Sequence, residues 1–178
     1  MLYKDYTQEL IGFKGATVTF VERKEKYLHI HMLMNRKVHK CPRCGKDTDK
    51  IHDYRIQRIK DISSFGNYTV IHLRKRRYVC PLCNKRFYEE IPFLPRYQRI
   101  TSRLIAFILN SFREVTSIKN LANLANVSST TAIRIFDHIK YSNKSLPHVI
   151  SMDEFRGNAG GEKFQCILTD PESKKVLD

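Results

Sequence analysis

Long apolar runs are missing from this chain. No segment approaches the roughly 20 residues that a membrane span needs, and Met1-Leu2-Tyr3-Lys4-Asp5 leads into no apolar stretch of a secretory signal. No basic amphipathic helix stands out, so a membrane-surface role has nothing to rest on and no membrane partner is expected. Acidic residues are scarce: 18 Asp and Glu stand against 32 Lys and Arg, for a formal net charge of +14 and a pI near 9.7. That imbalance attracts polyanions, and the intracellular candidates are DNA and RNA. A hydrophobic content of 42% excludes a disordered basic tail. At 178 residues the chain exceeds one minimal domain and is short for two full-sized ones.

What is present is a paired cysteine pattern. Four of the five cysteines form two knuckles, Cys41-Pro42-Arg43-Cys44 and Cys80-Pro81-Leu82-Cys83. Two separated CxxC pairs are the ligand set of a structural zinc site, four thiolates around one tetrahedral cation. Pro follows the first cysteine of each pair, and Gly45 and Asn84 follow the second, which suits a tight turn whose N–H groups point at sulfur. Disulfides are the competing reading, but they are disfavoured in the reducing cytoplasm that a chain without a signal implies. A redox CxxC needs no matched second copy, and an iron–sulfur cluster is the remaining alternative. His39 could substitute as a ligand, although the cysteine set is already complete. Cys166 lies in the apolar run Phe164–Leu168 and is expected to be a small buried hydrophobe.

The basic residues concentrate in residues 1–100, most densely at Arg74-Lys75-Arg76-Arg77, just before the second knuckle. These four are candidate phosphate contacts. On a strand alternate members face opposite sides, so they cannot all reach one partner; the plainer reading is a solvated strand edge. Tyr78 and Phe87 are expected in the ribbon core. Upstream, Phe13–Val21 and Tyr27–Met34 alternate apolar and polar residues and predict strands joined by a charged turn, Glu22 to Lys26. His29 and His31 fall on the face opposite Leu28, Ile30 and Met32; a solvated or hydrogen-bonded pair is expected rather than a metal site. Tyr54–Ile62 and Tyr68–Leu73 read as strands joined by a turn at Ser63–Asn67. The zinc module thus spans about 35–90 within a β-rich domain at 1–92, and Ile91-Pro92-Phe93-Leu94-Pro95 reads as a linker.

The next region, 93–142, is helical. Thr101 is a candidate N-cap, with Leu104, Ile105, Ile108 and Leu109 at helical spacing. Ser117–Ala125 predicts a second helix with Ile118, Leu121 and Leu124 inward. Ser129–Ile139 predicts a third, with Ala132, Ile135, Phe136 and Ile139 inward. A small residue, Ala122 or Ala125, permits close crossing, Val127 plugs the turn and Ser128 caps the third helix. This is a helix-turn-helix pattern, with an ordinary three-helix bundle as the alternative. As helix-turn-helix, it offers Ser129, Thr130, Ile133 and Arg134 to base edges and phosphates in a major groove; Arg134 stands out because arginine reads guanine bidentately.

A second linker, Tyr141–Pro147, precedes another change of period. Val149–Phe155 and Lys163–Asp170 predict strands, Asp170-Pro171-Glu172-Ser173 a turn, and Lys174–Leu177 the start of a third strand. Such a hairpin cannot bury a core by itself, which implies either a fragment or docking on something else.

In this order the parts resemble bacterial insertion-sequence transposases of the ISL-three family. The residues that carry the resemblance are CPRCG at 41–45, RKRRYVCPLCNKRF at 74–87, SIKNLANLANVSSTTAIRIFDHI at 117–139 and SMDEFRG at 151–157. The resemblance implies an α+β chain: a β-rich zinc-ribbon-like domain, a three-helix helix-turn-helix domain, and at 148–178 the first strands of an RNase H-like DDE domain. It implies structural Zn2+ at Cys41, Cys44, Cys80 and Cys83, double-stranded DNA at transposon ends as partner, and a cytoplasmic, nucleoid-associated location. Asp153 would then be the first catalytic carboxylate, at a strand end where it can hold Mg2+ for in-line phosphodiester displacement. Glu154 points to the other strand face, and Asp170 reads as an Asx-turn residue. The family's second Asp and its Glu lie well downstream; Asp178 closes the third strand and does not fit as the second Asp. Mg2+ is expected in the complete catalytic domain only, and this polypeptide is expected to bind DNA as a truncated transposase without cutting it. A stand-alone DNA-binding regulator or competitor and a zinc-stabilised interaction scaffold remain the alternatives. Transposases of this kind often act as dimers, which leaves a homodimer open although no heptad or dimer face is visible.

Overall fold

Two residues with positive φ, Phe65 at 52° and Gly66 at 72°, reverse the chain between its longest strands, β5 (Ile51–Ser64) and β6 (Asn67–Val79). A two-residue turn with both central residues left-handed matches the right-handed strand twist, and Ser64 pairs with Asn67 to close it. The hairpin lies where the alternating pattern places it, and both strands run further than the pattern alone marks.

The computed structural model describes residues 7–114, 116–137, 147–157 and 163–177. Ile139, most of the Tyr141–Pro147 linker and Asp178 lie outside the described residues. The chain divides into two compact units, 1–136 and 137–178. The architecture is mixed α+β.

In the first unit, α1 (Thr7–Ile11) precedes β1 (Ala16–Lys24) and β2 (Tyr27–Met34), and the sheet order is β1-β2-β6-β5. β1 extends through Glu22 and Lys24, so the expected charged turn shrinks to Glu25 and Lys26, with Glu25 at a φ of 52°. β2 and β6 run parallel, in a register that sets His31 beside His72 and Ile30 beside Ile71. One sheet face is apolar: Ile30, Met32, Ile59, Ile71 and Leu73 are buried there, each worth about 1.5–3 kcal/mol on burial. That face is covered by Phe13 and by Ile91, Phe93 and Leu94, with the rings of Phe13 and Phe93 stacked 4.0 Å apart. The stretch 91–95, expected as a linker, is therefore core. Its three apolar side chains have a sheet face to fill, and two prolines shape a tight path across it.

Two small hairpins carry the knuckles. β3 (His39–Lys40) pairs with β4 (Asp47–Thr48), and the end of β6 pairs with β7 (Arg86–Tyr88). Tyr78 is fully buried there and stacks on Phe87, as expected of ribbon core.

Three helices complete the first unit: α2 (Ser102–Ser111), α3 (Ile118–Leu124) and α4 (Ser129–Phe136). Thr101 and Ser117 cap α2 and α3 by accepting from Leu104 N and Asn120 N, and Ser128 Oγ accepts from Thr131 N at the start of α4. Ile100, Leu104, Ile108, Leu121, Ala125 and Ile135 form a second core, with Val127 packed against it. Ile118, Leu124 and Phe136 are exposed rather than inward. α3 has only seven residues, and the small Ala122 and Ala125 make its contact arc too narrow for the flanking side chains. Phe136 rests instead against the Phe112 ring, 4.8 Å away.

The sheet and the helices meet at one buried carboxylate. Asp61 on β5 accepts from Thr101 Oγ1 at 2.6 Å and from Arg103 Nε at 2.8 Å, and its other oxygen is bound by Arg103 Nη2. Arg103 also donates to Ile11 O at 2.6 Å and lies 4.0 Å over the Phe13 ring. Residues 99–101 run along the β5 edge, with Lys60 N donating to Arg99 O and Thr101 N to Lys60 O.

The second unit holds β8 (Ser151–Arg156), β9 (Phe164–Asp170) and β10 (Lys175–Val176), an antiparallel sheet ordered β10-β9-β8. Cys166 is exposed, contrary to expectation, because no layer covers its side of β9 among the described residues.

Candidate metal centre and nucleic-acid interface

The two knuckles fold by the same local rule. Cys41 N donates to Lys46 O and Gly45 N to Cys41 O; Cys80 N donates to Lys85 O and Asn84 N to Cys80 O. The turn needs a left-handed residue at its fifth position. Gly45 (φ 71°) and Asn84 (φ 54°) supply it, two residue types that tolerate that region. Each turn aims two sulfurs the same way, and the β5–β6 hairpin brings the turns together. Thr48 Oγ1 on β4 donates to Val79 O at 2.9 Å, and Val79 N donates to Lys50 O, so the first knuckle is stitched beside the second.

The result is a cluster of four sulfurs. Cys41 Sγ lies 3.5 Å from Cys83 Sγ, Cys44 Sγ lies 3.5 Å from Cys80 Sγ, and all four are within 4.8 Å of one another. A tetrahedral Zn–S bond of about 2.3 Å requires sulfur–sulfur edges of about 3.8 Å, which these separations bracket. Disulfide bonding would need about 2.05 Å. The thiols are held unequally. Desolvation pushes Cys41 up, but N–H groups of Arg43 and Cys44 and the neighbouring sulfurs bring it down to about 6. The Lys46 N–H favours the Cys44 thiolate, yet desolvation and the other three sulfurs outweigh it and raise this thiol to about 12. Four thiols so close cannot all ionise without a cation between them, and zinc supplies that charge.

The candidate phosphate contacts separate into different environments. Arg74 is exposed, its guanidinium 4.1 Å over the Tyr54 ring. Lys75 and Arg77 both approach the Tyr88 ring, and Arg77 Nη1 is 3.3 Å from Asp53 Oδ2. Arg76 is buried. Its Nη1 donates to Met34 O at 2.6 Å and to Glu89 Oε2 at 3.2 Å, while its N donates to Glu89 Oε1 at 2.7 Å. It joins β6 to β2 and to the residue after β7, and is not available to a phosphate. The sequence gives no warning of this, because the partner carboxylate is 13 residues away.

On α4, Ser129, Thr130, Ile133 and Arg134 are all exposed, while Ala132 and Ile135 are buried. At 100° per residue the four occupy one continuous outward arc. The turn before them is tight: Val127 N donates to Ala122 O at 2.9 Å, and Asn126 takes a φ of 52°. Lys60 Nζ donates to Asn126 O at 2.5 Å, tying this turn to β5.

These features agree with the comparisons to known proteins. Residues 37–83 match the zinc-finger of transposase IS204/IS1001/IS1096/IS1165, and residues 89–139 match the helix-turn-helix domain of transposase family ISL3. The chain belongs to the ISL3 transposase family. It is 26% identical over 185 residues to the transposase for insertion sequence element IS1001 of Bordetella parapertussis, covering 99% of this chain and 45% of that protein. The chain therefore spans less than half the length of this ISL3 relative. No solved structure matches. The ribbon match and the four-sulfur cluster together support structural zinc, and the helix-turn-helix match supports DNA binding.

In the second unit Asp153 sits on β8, exposed and opposite Ile167, with Glu154 on the other face opposite Cys166. Asp170 accepts from Glu172 N and Ser173 N and so forms the expected Asx turn. Among the described residues, the cysteine cluster is the one set of three or more His, Cys, Asp or Glu side chains close enough to share an ion. No helix among them is long and apolar enough to cross a membrane.

Pattern reading missed the outer sheet face. His29 Nδ1 lies 3.0 Å from His72 Nε2, the His31 and His72 rings stack at 4.5 Å, and Arg58 is paired beside His72. Alternation in β2 puts the first two histidines on one face; the parallel β2–β6 pairing that adds His72, and Arg58 with it through the β5–β6 hairpin, leaves no local signal.

Proposed function

We propose that this chain is the DNA-recognising portion of a transposase and that its partner is the duplex at the ends of an insertion element. The observation that carries the reading is the outward arc of Ser129, Thr130, Ile133 and Arg134 on a capped helix that follows a tight turn. Such a helix enters a major groove by its N-terminal half, with Arg134 placed to read a guanine. Zinc at Cys41, Cys44, Cys80 and Cys83 holds the ribbon, and the exposed Arg74 gives a phosphate contact beside it, while Lys75 and Arg77 lie on the opposite strand face. Asp153 is the first carboxylate of a DDE site in an RNase H-like domain, of which β8, β9 and β10 form the opening sheet. In such a site Asp153 would be one of three carboxylates that together hold two metal ions for phosphodiester displacement.

Selection from a random duplex pool tests the reading. The zinc-loaded chain should enrich one sequence motif. Arg134→Ala should weaken binding to the enriched duplex by about 1–3 kcal/mol and relax preference at a single base position. An unenriched pool, or an Arg134→Ala variant with unchanged preference, would refute it.

A further inference from the structure

Beside the outward arc of α4 lies a groove of about 760 Å³ between that helix and the outer face of the sheet. From α4 and the residue that caps it the groove is lined by Ser128, Thr131 and Arg134, which recur at every third residue, and from the other side by Arg58, His72 and Arg99. Arg134 belongs to both surfaces, so the groove continues the readout face without a break. The lining contains four Lys or Arg side chains and no carboxylate. Arg58 and Arg99 are exposed, and among the described residues no carboxylate oxygen lies within 4.0 Å of either guanidinium. Both are held by their backbones, Arg58 in the β5–β6 ladder opposite His72 and Arg99 through its carbonyl to Lys60 N.

We infer that this groove seats one sugar–phosphate strand of the duplex that α4 reads, with Arg58 and Arg99 as its phosphate contacts. A helix lying in a major groove has a phosphate backbone on either side, and contacts to it fix the register of the reading helix without carrying sequence information. Here one backbone would pass between the helix and a basic sheet face. Lys60 is engaged with Asn126 O and positions the turn, and the imidazole edges of His29 and His72 form part of the floor. The inference rests on the DNA-binding reading and assigns phosphate contact to the zinc-domain sheet, so that sheet and helix hold the duplex together.

The test uses the full zinc-loaded chain and two labelled duplexes of about two helical turns, one enriched and one scrambled. Affinities are measured from about 50 to 200 mM salt. Arg58→Ala/Arg99→Ala should weaken both duplexes by the same factor, leave their affinity ratio unchanged, and make the log–log salt slope shallower by about 2. Arg55→Ala, which removes a charge from the opposite face of β5, should leave the slope at its wild-type value. A double variant with wild-type slope and affinity overturns the inference while the DNA-binding reading stands. Displacement of the wild-type protein from the duplex by micromolar AMP would also overturn it, in favour of a small-nucleotide pocket. A wild-type chain that binds neither duplex removes both proposals together.

Discussion

Arg103→Met should be among the most damaging single changes in the first unit, although no zinc ligand and no DNA-facing residue is touched. Its partner, the Asp61 side chain, is 0% exposed. Methionine keeps much of the aliphatic length but removes the guanidinium that lies over Phe13, leaving a buried carboxylate with the Thr101 hydroxyl as its remaining hydrogen-bond donor among the described residues. Breaking a buried ion pair from one side costs about 3–5 kcal/mol, and the lost bond to Ile11 O adds about 1 kcal/mol. Against a total stability of about 5–15 kcal/mol this is a large fraction. The chain has no tryptophan, so urea unfolding is best followed by far-ultraviolet circular dichroism. The companion variant Asp61→Leu/Arg103→Met decides the cause. Replacing both partners with apolar groups removes the uncompensated charge and should recover about 2 kcal/mol or more of the single variant's loss. An Arg103→Met protein within about 1 kcal/mol of wild type, or a double variant no more stable than the single, would refute the account.

Cys41→Ser or Cys80→Ser should reduce bound zinc well below one equivalent and unfold residues 37–83; stoichiometric zinc by elemental analysis would contradict the ligand assignment. His72 has its pKa lowered by burial, then by His31, His29 and Arg58, with Glu22 opposing. The unfolded chain therefore takes up the proton first, so stability is full above the ordinary histidine value near 6.5 and falls as pH drops below it. His72→Gln should lose less stability than wild type between about pH 7 and 5.5, and parallel pH profiles would refute the burial effect. Phe65 is left-handed at the β5–β6 turn and 84% exposed, so Phe65→Asn should stabilise by about 0.5–1 kcal/mol; an unchanged or lowered urea midpoint would contradict this.

Local chemistry was legible and long-range pairing was not. The knuckles could be read because two residues between cysteines fix the turn, and the caps Thr101 and Ser128 because a hydroxyl satisfies an N–H three residues on; Ser117, read as the first residue of its helix, is the cap of α3. Helical spacing placed Leu104, Ile108, Leu121 and Ile135 in a core. It misplaced Ile118, Leu124 and Phe136, since periodicity marks a face but not how wide a neighbour covers it. Arg76 looked like its three basic neighbours until Glu89 was brought beside it. Ile91, Phe93 and Leu94 looked like a linker because their prolines are local, while the sheet face they cover is assembled from strands far apart in sequence. The outer-face groove depends on a parallel pairing of β2 with β6 across an intervening module, for which no short-range pattern exists.

The distribution of buried residues explains why this fold needs a metal. The first core draws on Phe13 to Met34, Ile59, Ile71, Leu73 and residues 91–94, and takes nothing from the ribbon tip. At the tip, Val38, Tyr54, Ile56, Leu82 and Tyr88 are exposed, leaving Tyr78 as the one large apolar side chain fully buried there among the described residues. Hydrophobic burial cannot hold a hairpin of that length when so little is buried, and small modules in this position rely on a staple. The four sulfurs sit where a core would be. Since β6 leads directly into Cys80 and is paired with β5, and β5 holds Asn126 through Lys60 and α2 through Asp61, the metal steadies the same framework that positions α4. Zinc at these four sulfurs would take the place of a hydrophobic interior.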